Sequence, residues 1–93
     1  MTEYKRVHLA VTGSVQGVGF RFFAVHLARR LNVTGWVRNR GDGAVEAVAE
    51  GEAGMVREFV EGIRRGPVSA DVRGLEVTPE PFRGEFDCFE VTY

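Results

Sequence analysis

The chain has 93 residues, 44% of them hydrophobic, enough for one modest core and too few for two, so a single domain over residues 1–93 is expected. Twelve basic residues nearly balance thirteen acidic ones; no global field draws the molecule to nucleic acid or to an anionic membrane, and any anion it binds has to be caught locally. Cys88 is the one cysteine, which excludes an internal disulfide and a cysteine-based zinc site, and with a charged N-terminus and no apolar run near ~18 residues the sequence predicts a cytoplasmic protein without membrane association.

Val7, Leu9 and Val11 alternate with His8, Ala10 and Thr12, the period of a strand with one buried face, and this strand is expected to stop at Gly13. After Gly13-Ser14-Val15-Gln16-Gly17-Val18-Gly19 the period lengthens. Phe20, Phe23, Leu27 and Leu31 then mark one face of a helix that ends near Asn32. Val33 to Asn39 and Ala44 to Glu50 are strand candidates flanking Arg40-Gly41-Asp42-Gly43, whose Asp-Gly pair signals a hairpin. Met55, Val56, Phe59, Val60 and Ile63 give a second helical face, closed by Gly66-Pro67. Asp71 to Val77 reads as a strand, Thr78-Pro79-Glu80-Pro81 as a break, and Glu85 to Tyr93 as a last short strand with Phe86, Cys88 and Val91 partly buried.

This order predicts an α+β, ferredoxin-like βαββαβ sandwich. Two helices cover one face of a mainly antiparallel sheet, and a short C-terminal strand is added. In that topology the first and second strands are parallel, with the third between them, joined by a right-handed crossover. Their C-terminal ends share one edge of the sheet, so the loop Gly13–Arg21 meets Asn39 although eighteen positions separate Arg21 from it. Parity places Asn39 on the helix side with Val37, and Trp36 on the opposite, open face.

The loop joins a strand to a helix N-terminus, where unpaired N–H groups and the helix dipole favour an anion. Arg21 adds a planar fork of donors whose charge persists at any physiological pH. The spacing is neither the Walker nor the dinucleotide pattern. Two readings stay open on these grounds: an anion site, or a connecting loop with a surface arginine. Asn39 likewise either positions a water, since its amide can accept and donate at once, or satisfies local backbone groups before the turn. The remaining polar residues read as structural. His8 falls on the open face and His26 on the polar side of the first helix, with no carboxylate pair near either. Glu46 and Glu50 read as solvated charge on the open face, Trp36 as cover for it, Met55 as core and Cys88 as a small inert core or edge residue.

Gly13-Ser14-Val15-Gln16-Gly17-Val18-Gly19-Phe20-Arg21, taken with Gly35-Trp36-Val37-Arg38-Asn39 and Asp42-Gly43-Ala44-Val45-Glu46, resembles the acylphosphatase family. The resemblance extends over nearly the whole chain, through Gly51, Pro67-Val68-Ser69-Ala70-Asp71-Val72 and, less specifically, Phe89-Glu90-Val91-Thr92-Tyr93. It implies hydrolysis of the carboxyl–phosphate anhydride of a small acyl phosphate, giving a carboxylate and inorganic phosphate, with no metal or other cofactor. Matched by position, the phosphate-holding arginine falls on Arg21 and the catalytic asparagine on Asn39, while backbone N–H groups of Val15, Gln16, Gly17, Val18, Gly19 and Phe20 join Arg21 in binding the phosphoryl oxygens. Ser14 departs from the family, which often has a basic residue there. The expected state is a monomer. The competing reading, single-stranded RNA on the open sheet face, needs exposed aromatics and a basic surface; here that face offers His8, Ala10, Thr12, Glu46, Val48 and Glu50, with a net charge of −1.

Overall fold

The computed structural model describes residues 2–93. The alternation that begins at Val7 is part of β1 (Tyr4–Ser14), which runs one residue past Gly13. Helix α1 (Phe20–Arg30) leads to β2 (Thr34–Asn39); after the four-residue turn and Ala44 come β3 (Val45–Glu52) and, without a break, α2 (Ala53–Arg65). Two further strands follow, β4 (Asp71–Glu80) and β5 (Phe89–Val91). The sheet order is β4-β1-β3-β2-β5. β3 is antiparallel to both β1 and β2, so those two run parallel with β3 between them, and only β5 adds a parallel pair, against β2. This is the ferredoxin-like sandwich with its added strand.

The register explains where the core lies. Val7, Leu9 and Val11 stand opposite Ala49, Ala47 and Val45, and Val37 opposite Ala47, all on one face. Small residues at the centre of that face leave room for Phe20, Ala24, Leu27 and Ala28 of α1 and for Phe59 and Ile63 of α2, all buried. Burying apolar side chains of this size contributes roughly 1.5–3 kcal/mol apiece for the larger ones, which is what holds the helices to the sheet.

Two expectations about the C-terminal third are corrected. The predicted break at Thr78–Pro81 is strand as far as Glu80, with Pro79 paired to Val7. β4 is an edge strand bonded only to β1, and an edge tolerates a proline because half its backbone groups need no partner in the sheet. The last strand is shorter than expected and in the other phase: Phe89 is the buried residue and Cys88 is exposed, with Phe86 and Val91 intermediate. The reason is pairing. Phe89 stands beside Gly35 on the helix face, its ring 5.3 Å from that of Phe59.

Between β4 and β5 the chain crosses from one sheet edge to the other over the open face. Glu50, expected to be solvated, lies under this strap and is 1% exposed. Its carboxylate accepts backbone N–H bonds from Arg83, Gly84 and Glu85 at 2.8, 3.2 and 3.2 Å. Arg6, 8% exposed, donates to Glu50 at 3.4 Å and to Glu80 at 2.8 Å, and also to Glu85, while its guanidinium carbon is 5.3 Å from the centre of the Phe86 ring. Burial pushes the Glu50 carboxyl up, but the three N–H bonds and Arg6 outweigh it and hold the group below the ordinary carboxylate range.

Candidate active site

Residues 15–19 connect β1 to α1. Val15, 1% exposed, pins the start of this loop in the core. Gly17 and Gly19 adopt φ of 72° and 77°, and a Cβ at either would meet no atom within 4 Å. Backbone conformation, not space, therefore demands glycine at both, since the left-handed region is unfavourable for L side chains. With Gly19 as N-cap, Phe23 N–H is the first of α1 to bond back, to the Gly19 carbonyl at 3.0 Å. Among the described residues, the N–H groups from Gln16 to Phe22 donate to no other protein group. No acidic side chain lies in the first helical turn. Loop and helix terminus together form a cluster of outward donors at the positive end of a helix dipole.

A concavity of about 80 Å³ lies against this cluster, lined by Val15, Gly17, Gly19, Phe20, Arg21, Phe22 and Asn39. That is two to three times the ~30 Å³ share of a water molecule in the liquid. The parallel arrangement of β1 and β2 delivers Asn39 to the loop, as the topology predicts. Arg21 stands in the first turn of α1 and, among the described residues, makes no ion pair; its guanidinium carbon is instead 5.6 Å from the centre of the Tyr93 ring. Of the residues expected at the site, Gln16 and Val18 do not line the concavity. Val18 packs against the core, and the Gln16 amide turns aside to donate to the carbonyls of Arg40 and Ala44 at 2.7 and 2.9 Å.

The neighbouring turn is itself pinned. Asp42 accepts from Ala44 N–H at 3.1 Å and pairs with Arg40 at 2.6 Å; the Ala44 bond first, and Arg40 after it, hold its carboxyl below the usual range. On the loop's other side, Ser69 Oγ donates to the Val18 carbonyl at 2.7 Å, which fixes the plane of the Val18–Gly19 peptide. Phe22, 68% exposed, is the lining residue that sequence reasoning missed, and Tyr93, 99% exposed, meets the site only through its ring beside Arg21. A signal for Phe22 existed: it is a large apolar residue one position out of phase with the helical stripe of Phe20, Phe23 and Leu27.

Elsewhere one reading is corrected: Glu46, expected to be solvated, has a side chain only 14% exposed and is paired with both His8 and Arg38. His26 is exposed and Trp36 lies on the open face under the Arg38 guanidinium, 5.2 Å from its ring centre. His8 faces Glu46 at 2.6 Å across a diagonal of the β1–β3 ladder, since on the open face His8 stands opposite Val48 and Glu46 opposite Ala10; Arg38 holds the other Glu46 oxygen at 2.8 Å. Burial raises the Glu46 carboxyl, and His8 and Arg38 more than reverse this. Among the described residues no three His, Cys, Asp or Glu side chains are grouped to hold a metal ion, and no helix is long and apolar enough to cross a membrane.

Fold and site together define a small α+β domain with a backbone anion cradle, an uncompensated guanidinium and a carboxamide at one end of its sheet, the equipment of an enzyme that handles phosphoryl groups. The acylphosphatase family model matches residues 7–91. An acylphosphatase of Rubrobacter xylanophilus is 54% identical over 96% of this chain and 81% of its own, and one of Syntrophotalea carbinolica is 48% identical over 95% and 96%. The crystal structure of acylphosphatase from Bacillus subtilis superposes with a TM-score of 0.92 at 36% identity, covering 96% of this chain and 99% of that one. The chain belongs to the acylphosphatase family.

Proposed function

We propose that this enzyme hydrolyses the carboxyl–phosphate bond of small acyl phosphates without a metal ion, using Arg21 and the N–H groups of residues 15–20 to hold the phosphoryl oxygens and Asn39 to orient the attacking water. Water attacks phosphorus, the bond to the acyl oxygen breaks, and the carboxylate departs with both electrons; the proton lost by water passes to phosphate or solvent. A carboxylate is a weak base and a good leaving group, so neither a general acid nor a covalent nucleophile is needed. Charge spreads over the equatorial oxygens during transfer, and catalysis consists of positioning and electrostatic stabilisation. The observation that carries this reading is the single concavity lined by Gly17, Gly19, Arg21 and Asn39 in a chain of this family. The domain acts as a cytoplasmic monomer over residues 1–93, with inorganic phosphate as product and no nucleic-acid or membrane partner.

The test is turnover of benzoyl phosphate by wild type, Arg21→Ala and Asn39→Ala in the presence of a chelator. Removing one preorganised group of this kind lowers kcat by about 10²–10³-fold. Both variants are expected to fold and to lose that much, with Arg21→Ala also losing inhibition by inorganic phosphate. An inactive wild type, or an Asn39→Ala enzyme as fast as wild type, overturns the assignment.

A further inference from the structure

The Gln16 side chain is half-buried and does not reach the concavity. Its amide nitrogen donates at once to the carbonyls of Arg40 and Ala44, the two residues that close the base of the turn after β2. The same two residues are joined by a backbone bond from Arg40 N–H to the Ala44 carbonyl at 2.8 Å. Arg40 directly follows Asn39, so one amide ties the loop that carries the N–H cradle to the residue next to the carboxamide across from it.

From this geometry we infer that Gln16 is a positioning residue: it sets the distance between the phosphate cradle and the Asn39 amide. The inference rests on the proposed role of Asn39. No other hydrogen bond from a side chain of residues 15–19 bridges to the β2–β3 turn among the described residues, and the loop's second strut, Ser69 to Val18, leads away toward the segment after α2. Without the Gln16 bridge each half of the site keeps its own fold. The cradle keeps Gly17, Gly19 and Arg21, and the turn keeps its Asp42 bonds. What is lost is their mutual register, on which in-line attack depends more than phosphate binding does.

A Gln16→Met variant keeps the side chain's length and removes the donor. Benzoyl phosphate turnover, inhibition by inorganic phosphate and thermal unfolding are measured for wild type, Gln16→Met, Asn39→Ala and the double variant. A misplacement on the order of 1 Å lowers kcat by about 10²-fold. Gln16→Met is expected to lose kcat on that scale while phosphate inhibition stays close to wild type, and to have no further effect once Asn39 is alanine. Should Gln16→Met not fold, Gln16→Glu, which replaces the donor by an acceptor at similar volume, takes its place in the same cycle. A Gln16 variant with wild-type kcat beside an impaired Asn39→Ala, or one whose loss is equally large in both backgrounds or matched by loss of phosphate binding, overturns the inference alone. An Asn39→Ala enzyme with wild-type turnover overturns the role of Asn39 and the inference with it.

Discussion

Arg21 carries its charge beside open backbone N–H groups and, among the described residues, without a carboxylate to neutralise it. Its contact is the face of Tyr93, which leaves the fork of donors unspent. A lysine would keep the charge and give up the paired geometry that fits two phosphoryl oxygens. Arg21→Lys is therefore expected to lower kcat/KM for benzoyl phosphate by about 10²-fold, near the loss of one preorganised donor. Steady-state kinetics check this, and a lysine enzyme close to wild type would show that charge alone suffices. The meeting of Arg21 with Asn39 was legible in the sequence, because a strand order and a right-handed crossover bring the two strand ends together whatever the side chains are. The direction of the Gln16 amide was not. A glutamine in a glycine-rich loop carries no periodicity, and only the closed turn at Arg40 and Ala44 supplies the acceptors that turn it aside.

The hairpin of β2 and β3 carries Asn39 to its place, and its register depends on a close approach at Gly35. With φ of 143°, a Cβ there would lie 1.8 Å from the Val48 carbonyl oxygen, so β3 itself blocks any side chain. Phe89 of β5 pairs with Gly35 from the other neighbouring strand. Gly35→Ala adds backbone strain of about 1–3 kcal/mol to a forced strand shift of similar size, for a destabilisation of about 3 kcal/mol or more. Urea unfolding followed by circular dichroism measures it; a loss under about 1 kcal/mol would mean that β2 moves freely against β3. Such elements were legible where a period ran long enough, as in Val7–Val11 or Met55–Ile63. They were not where an edge position overrode composition: Pro79 punctuates the sequence, yet β4 has only one sheet neighbour and accommodates it. Phe89 took the buried phase because its pairing with β2 sets it beside Gly35 on the helix face, against Phe59, a fact of pairing and not of the local pattern.

Across the whole molecule, the strap from Pro81 to Cys88 closes the end of the open face far from the site. Thr34 pairs with Glu50 and Asn39 with Val45, so the two regions are separated by five strand residues, roughly 17 Å at ~3.3 Å per residue. The strap is fastened by charge: one buried carboxylate, three N–H bonds and the Arg6 guanidinium shared with Glu80 and Glu85. Parity alone put Glu50 on the open face and could not reveal this cover, which comes from a segment thirty-odd residues later without strand or helix periodicity. Because the folded carboxyl is held below the unfolded value of about 4.3, its contribution is fully present above that pH and is lost as pH falls through the folded value. Glu50→Gln keeps one acceptor and removes the charge facing Arg6. Arg6 keeps Glu80 and Glu85, so it is not orphaned, and the cost is that of weakened hydrogen bonds to a charged acceptor, about 1.5–3 kcal/mol. Urea unfolding should therefore show wild type more stable by about 2 kcal/mol at pH 7, with the gap narrowing as pH falls below the unfolded carboxyl value of about 4.3. A gap that stays constant with pH would mean that the charge does not fasten the strap. Benzoyl phosphate turnover by Glu50→Gln at pH 7, well below its melting temperature, should equal that of wild type, because nothing in the clasp touches the loop, Arg21 or Asn39.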